Sequence, residues 1–151
     1  GPVINNGETG DWFGSFAAGP VINNGDAGDW FGYSAAGPVI NNGDACNRFG
    51  SFAKGPVINN GETGNYFGSS AAGPVIAIKK PTGYSYFLNP EKVLKPEDCA
   101  RIPELKEYID SIGKRTRRLK NARPGEIEAI LRDLSAETVD AKIRELIGGS
   151  A

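Results

Sequence analysis

The sequence predicts an α+β chain: an N-terminal tandem-repeat β array, read as a β-solenoid or stack of β-arches with a β-meander as the alternative, followed by a small three-helix C-terminal domain. Three observations carry this. Residues 1–72 are four near-copies of one 18-residue cassette, each opening Gly-Pro-Val-Ile-Asn-Asn-Gly, at Gly1, Gly19, Gly37 and Gly55. A fifth copy, residues 73–90, keeps only Gly-Pro-Val-Ile before it diverges, as the terminal unit of a repeat array does. Over residues 91–151 the apolar residues recur at helical spacing instead.

Within the first cassette, Val3-Ile4 is a β-branched pair suited to a strand. Asn5-Asn6-Gly7 follows, and Asn-Gly is a strong turn signal because both residues accept positive φ. Asp11-Trp12-Phe13-Gly14-Ser15-Phe16-Ala17 has the aromatic content of a second strand, which Ala18-Gly19-Pro20 breaks. Each cassette therefore reads as two short strands and two turns. Alternation gives the second strand two faces. One carries the unvarying Phe13, Phe31, Phe49 and Phe67 with Ala17, Ala35, Ala53 and Ala71, and is expected to face a core. The other varies, with Trp12, Trp30, Arg48 and Tyr66 at one position and Phe16, Ser34, Phe52 and Ser70 at another, as an exposed interaction surface can.

If each cassette is one coil, equivalent residues stack about 4.8 Å apart. That predicts an Asn5/Asn23/Asn41/Asn59 ladder and a Phe13 ladder. Its cost is the like-charge column Glu8, Asp26, Asp44 and Glu62, repelling by roughly 1 kcal/mol per neighbour in water. Eighteen residues also equal three hexapeptides, as in a left-handed β-helix, but stepping by six from Ile4 meets Gly10 and Phe16. The solenoid is favoured over the meander. In period, Gly/Asn turns and stacked aromatics the array resembles short-repeat β-solenoids and functional amyloids, and the resemblance extends no further. Its two ends differ: the fifth cassette contains Lys79, Lys80, Pro81 and Pro90, which blunt a sheet edge, and the first has no such protection.

Downstream, Pro96-Glu97-Asp98 suits a helix first turn, with Leu105, Tyr108, Ile109 and Ile112 at helical spacing and Gly113 as the stop. A second helix is expected from Pro124-Gly125, with Ile127, Ile130, Leu131 and Leu134 on one face. Ser135 can cap a third, burying Val139, Ile143, Leu146 and Ile147 and ending at Gly148-Gly149. Three short helices make a marginal bundle that is expected to lean on the array. The basic run Lys114, Arg115, Arg117, Arg118 and Lys120 suggests nucleic acid, and Ile130 to Val139 loosely resembles a helix-turn-helix. Two departures argue against it: no Gly marks the turn, and Asp140 and Glu145 stand on the supposed recognition helix. Nucleic acid is an unfavoured partner.

Charge is divided unevenly. Residues 1–72 hold six acids and two bases, a net of −4, and residues 73–151 hold twelve acids and fifteen bases, a net of +3. Complementary ends of successive molecules are one expected use. Cys46 replaces the glycine found at Gly10, Gly28 and Gly64, so Cys46 and Cys99 form a candidate disulfide pair that would staple the array to the helices or to a neighbour. The chain has no methionine, which suits a processed protein located outside the cell or on its surface. No run of about 18 apolar residues spans a membrane.

The absence of histidine removes Ser-His and Cys-His nucleophile pairs and imidazole metal sites, and no phosphate-binding loop or EF-hand spacing occurs. No cofactor is expected; Ca²⁺ bound between copies through Glu8/Asp11-type pairs is a minor candidate. The expected function is a non-enzymatic, structural, self-assembling repeat protein, an amyloid-like or solenoid filament or surface layer. The alternative is an adhesin that presents its aromatic ladder to a glycan or other polymer.

Overall fold

The computed structural model describes residues 2–83 and 93–149. Pro90, expected at the blunted edge, lies outside them. Strands β1 (Val3–Asn5), β2 (Val21–Asn23), β4 (Val39–Asn41), β6 (Val57–Asn59), β7 (Val75–Ala77) and β8 (Val93–Leu94) form one parallel sheet in that order. Val3 pairs with Val21, Val21 with Val39, Val39 with Val57, Val57 with Val75 and Val75 with Val93. Each step equals one cassette, so the chain completes one coil per repeat. The array is therefore a β-solenoid of about five turns and not a meander. Two further short strands, β3 (Asp26–Ala27) and β5 (Asp44–Ala45), pair in parallel on another side of the coil.

Two local expectations are corrected. Asn6-Gly7 and its equivalents do not use positive φ. Their glycines are needed for close approach: a Cβ on Gly25 would overlap the carbonyl oxygen of Gly7, and one on Gly43 that of Gly25. The expected second strand, Asp11 to Ala17, is a succession of turns, with Trp12 (φ 64°), Gly14 (φ 77°) and Phe16 (φ 61°) all left-handed. Intercoil hydrogen bonds continue through it nonetheless, as from Gly32 N–H to the Phe13 carbonyl at 2.9 Å. Its inward residues are still Phe13 and Ala17 and its outward ones Trp12 and Phe16.

Each Val-Ile-Asn strand divides its side chains between two cores. Val21, Val39, Val57 and Val75 point into the solenoid and meet Phe31, Phe49, Phe67, Ala35, Ala53 and Ala71. Ile22, Ile40, Ile58 and Ile76 point outward, fully buried under the helices. The strands are thus apolar on both faces, as parallel strands covered on both sides are.

Among the described residues four helices follow the array: α1 (Pro96–Ala100), α2 (Pro103–Arg117), α3 (Pro124–Leu131) and α4 (Ala136–Gly149). The expected first helix is broken at Arg101-Ile102, and Pro103 restarts it as α2. Gly113 does not stop it; the residue is buried within α2, where a Cβ would lie 2.9 Å from Asn60 Nδ2. The glycine lets the helix backbone come close to the solenoid. The second expected helix starts at Pro124 but ends at Leu131, so Leu134 is buried from the turn after it; the third starts as expected, and Thr138 N–H donates to Ser135 Oγ at 3.1 Å as the cap of α4. Leu105, Ile109, Ile112, Leu134, Val139 and Ile143 join the isoleucine ladder in one core, so the helices lie along the flank of the array.

Candidate interaction surface

Two asparagine columns hold the coils in register. Inside, Asn5, Asn23 and Asn41 each donate from Nδ2 to Oδ1 of the next asparagine at 2.8, 2.9 and 2.9 Å, ending at Asn59. Each Oδ1 also accepts the N–H two residues on, as Asn41 does from Gly43 at 3.2 Å. Outside, the Asn6, Asn24, Asn42, Asn60 column runs in the opposite sense, and Asn24 and Asn42 donate to Thr116 O at 2.8 Å and Thr116 Oγ1 at 2.6 Å. The inner column extends the ladder that the sequence anticipates, and the outer one ties the array to α2.

Asn24, Asp26, Gly32 and Ala36 donate their N–H groups to coil 1 at 2.7–2.9 Å, and the pattern recurs in coils 3 and 4. One repeating set of backbone bonds thus joins each coil to the next, and Val21, Phe31 and Ala35 are wholly buried between their neighbours.

The aromatic positions that the sequence singles out form a column on the arc across the core from the strands. Trp12 stacks on Trp30 with centroids 4.7 Å apart and planes 2° from parallel. The Arg48 guanidinium then lies between the Trp30 and Tyr66 rings, 4.6 Å from each centroid. Arginine thus continues an aromatic stack, because its planar cation attracts a π face on either side. Tyr33, which sequence reasoning missed, meets Phe16 and Phe52 edge-on at 5.6 Å each and contacts both tryptophans. Its signal was a lone aromatic where the other cassettes have Ser15, Ser51 and Ser69. Trp12, Phe16 and Phe52 remain 48%, 72% and 49% exposed.

The acidic column also forms. Glu8 bridges to Asp26 and Asp44 to Glu62 in parallel register, all four exposed, and Lys79 pairs with Glu62. Arg117 and Lys120, from α2 and the 3₁₀ turn after it (Arg118–Lys120), line one groove with Asp26, Asp44 and Glu62. Arg115 lies 3.8 Å from Asp133 and Arg118 3.7 Å from Glu126, while Lys114 faces another groove beside Glu107 and Asp110. Much of the basic run therefore faces carboxylates of its own chain. Asp11, Asp29 and Asn47 form a further column in which each side-chain oxygen accepts the N–H of the next member at 2.8–2.9 Å, a role that either residue type can fill.

The candidate disulfide is a correction: both thiols are free. Cys99 is buried in the core beneath the isoleucine ladder and Cys46 is exposed on a turn of coil 3. Burial first, and then Asp98, pushes the Cys99 thiol up to about 11. Partial burial and the carboxylates of Asp29, Asp11, Asp26 and Asp44 raise that of Cys46. Among the described residues no group of three or more Cys, Asp or Glu side chains is placed to hold a metal ion, and no helix is long and apolar enough to cross a membrane. Comparison with protein-family models, curated proteins and solved structures gives no match for this chain.

Proposed function

We propose that this is a structural, self-associating repeat protein that assembles into a filament or a surface layer through its aromatic flank. The carrying observation is that this flank leaves Trp12, Phe16 and Phe52 exposed along one side of a regular stack of coils. Association through it would withdraw that apolar surface from water. The opposite charges of array and helices contribute less to this contact than their net values suggest, since Arg117 and Lys120 already face the acidic column. The reading assigns no catalytic role and places the assembly outside the cell or on its surface.

The adhesin alternative draws on the exposed aromatic flank. Sugar rings stack on aromatic faces, however, and both faces of Trp30 and of the Arg48 guanidinium and one face of Tyr66 are covered by their column neighbours. Such a flank suits a lateral protein contact better than a glycan.

Light scattering and electron microscopy at rising protein concentration test the proposal. Concentration-dependent growth is expected, suppressed by Phe16→Ser with Phe52→Ser, the residue type of Ser34 and Ser70 at the same cassette position, while thermal melting checks that the coils remain folded. A wild-type chain that stays monomeric throughout the range would sink it.

A further inference from the structure

The dipeptide Asn-Gly recurs in the cassettes, among them as Asn24-Gly25, Asn42-Gly43 and Asn60-Gly61, and it is chemically labile as well as a turn signal. The backbone nitrogen of the glycine can attack the side-chain amide carbon of the asparagine, and glycine opposes that approach least because it carries no Cβ. The ladders restrain both partners. Each glycine N–H donates to the inner asparagine Oδ1 at 3.2 Å, from Gly25 to Asn23, Gly43 to Asn41 and Gly61 to Asn59. The outer side chains, however, are held unequally. Asn24 Nδ2 donates to Asn6 Oδ1 at 3.1 Å and to Thr116 O at 2.8 Å, and its Oδ1 accepts from Asn42 at 3.0 Å. Asn42 Nδ2 donates also to Thr116 Oγ1 at 2.6 Å, and its Oδ1 accepts from Asn60. Asn60 keeps only that bond, at 3.4 Å, and its own Oδ1 has no partner among the described residues. The cause lies in coil 5, where Ile78 stands in place of the next outer asparagine and Lys79 in place of the next glycine. The backbone bond fails at the same point: Asp44 N–H donates to the Gly25 carbonyl and Glu62 N–H to that of Gly43, and no described backbone N–H donates to that of Gly61.

We propose that Asn60 is a modification site: the folded chain deamidates at Asn60-Gly61 ahead of Asn24 and Asn42. Gly61 N bonds to Asn60 Cγ, the Cγ–Nδ2 bond breaks, and ammonia leaves carrying the proton of the Gly61 amide, which gives a cyclic succinimide. Water then adds to one of the two ring carbonyls. Breaking the Cγ–N bond yields aspartate, and breaking the bond from the backbone carbonyl carbon yields isoaspartate. The net change is one water in and one ammonia out, with no oxidant or reductant. Asn60 is partly exposed on the groove that it lines with Asp44, Glu62 and Arg117, so water has access to the site. The aspartyl product sets a carboxylate oxygen where the amide donated to Asn42 Oδ1, so the outer column loses its last rung and the groove gains a negative charge.

Peptide mass spectrometry of the full chain held at mildly alkaline pH reads the exchange of amide for acid at each site, because flanking residues distinguish the cassettes. Unfolded in urea, the three sites share the Val-Ile-Asn-Asn-Gly context and are expected to react at similar rates. In the folded chain Asn60 is expected to react at least about tenfold faster than Asn24 and Asn42, which each make two more side-chain hydrogen bonds. Ile78→Asn supplies the missing rung, and is expected to slow Asn60 towards the rate of Asn42 without changing the rates in urea. Equal rates at the three sites of the folded wild type, or a lead at Asn24 or Asn42, would overturn the assignment. An Ile78→Asn chain in which Asn60 keeps its wild-type rate while Asn24 and Asn42 stay slow would overturn the cause given for it. Should that variant unfold, seen as acceleration at Asn24 and Asn42, the ratio in the wild type decides alone.

Discussion

Among the described residues, eight that are not glycine adopt left-handed backbone at φ 52–64°, and they occupy the two flank positions of the cassette: Trp12, Phe16, Trp30, Ser34, Arg48, Phe52, Tyr66 and Ser70. Each such residue costs on the order of 1–2 kcal/mol relative to right-handed backbone. Stacking offsets that cost in the Trp12 column, where contacts of 4.6–4.7 Å recur from coil to coil. Ser34 has no ring to stack, so Ser34→Gly is expected to raise stability by about 0.5–1 kcal/mol in a urea melt, against the usual penalty for introducing glycine. A loss of stability there would show that φ strain is not what the site stores. Cys99 gives a second prediction. Its thiol is held up to about 11 from an ordinary value of 9.0, so the folded state retains a proton that the unfolded state has lost. The stability contributed is fully present below pH 9 and is lost as pH rises through 11, at most about 2–3 kcal/mol. Melting midpoints across that window should fall more steeply for the wild type than for Cys99→Ala.

At the scale of elements, the helices and coils are locked by two features that are unremarkable in isolation. Thr116 Oγ1 donates to the Ile112 carbonyl at 2.7 Å within α2 while accepting from Asn42 Nδ2 at 2.6 Å. One helical turn earlier, Gly113 leaves room for that approach. Helix propensity alone favours Gly113→Ala by about 1 kcal/mol. Packing opposes it, because the new methyl would sit 2.9 Å from Asn60 Nδ2, tighter than real Cβ contacts tolerate, and 3.5 Å from Asn42 Oδ1. Overpacking of this kind costs about 1–3 kcal/mol, so net destabilisation is expected. An equilibrium unfolding curve shifted to higher denaturant would mean that α2 can move away from the ladder without loss.

For the whole molecule, the sharing of one isoleucine ladder makes array and helices a single cooperative object. Ile22, Ile40, Ile58 and Ile76 are buried by the helices, and the helices have little other core. A peptide spanning residues 91–151 alone is therefore expected to lack cooperative melting by circular dichroism, since it loses the apolar surface on which α1, α2 and α4 pack. A sharp transition in that peptide would make the helical region an independent domain. The proposed self-association belongs to the same scale, because the aromatic flank runs along the stacked coils and not within one of them.

The period of 18 residues determined most of the architecture without help from coordinates. Identical cassettes in parallel register bring every Asn5-type and Phe13-type residue onto its own equivalent, so the ladders and the acidic column follow from repetition alone. The varied Trp12 position was legible as a surface for the same reason, since sealed interiors do not exchange tryptophan for arginine. Other features were not legible, because they depend on which distant groups meet. The glycine after Asn6 reads as a turn residue until Gly25 is seen against the Gly7 carbonyl. Gly113 reads as a helix stop until α2 lies on the asparagines, and Cys46 reads as a staple until Cys99 is found buried elsewhere. Most of all, Val-Ile looks like one apolar strand. Only the docking of the helices assigns valine to the solenoid and isoleucine to the second core, because the solvent exposure of a strand's outer face is set by what packs on it and not by its own sequence.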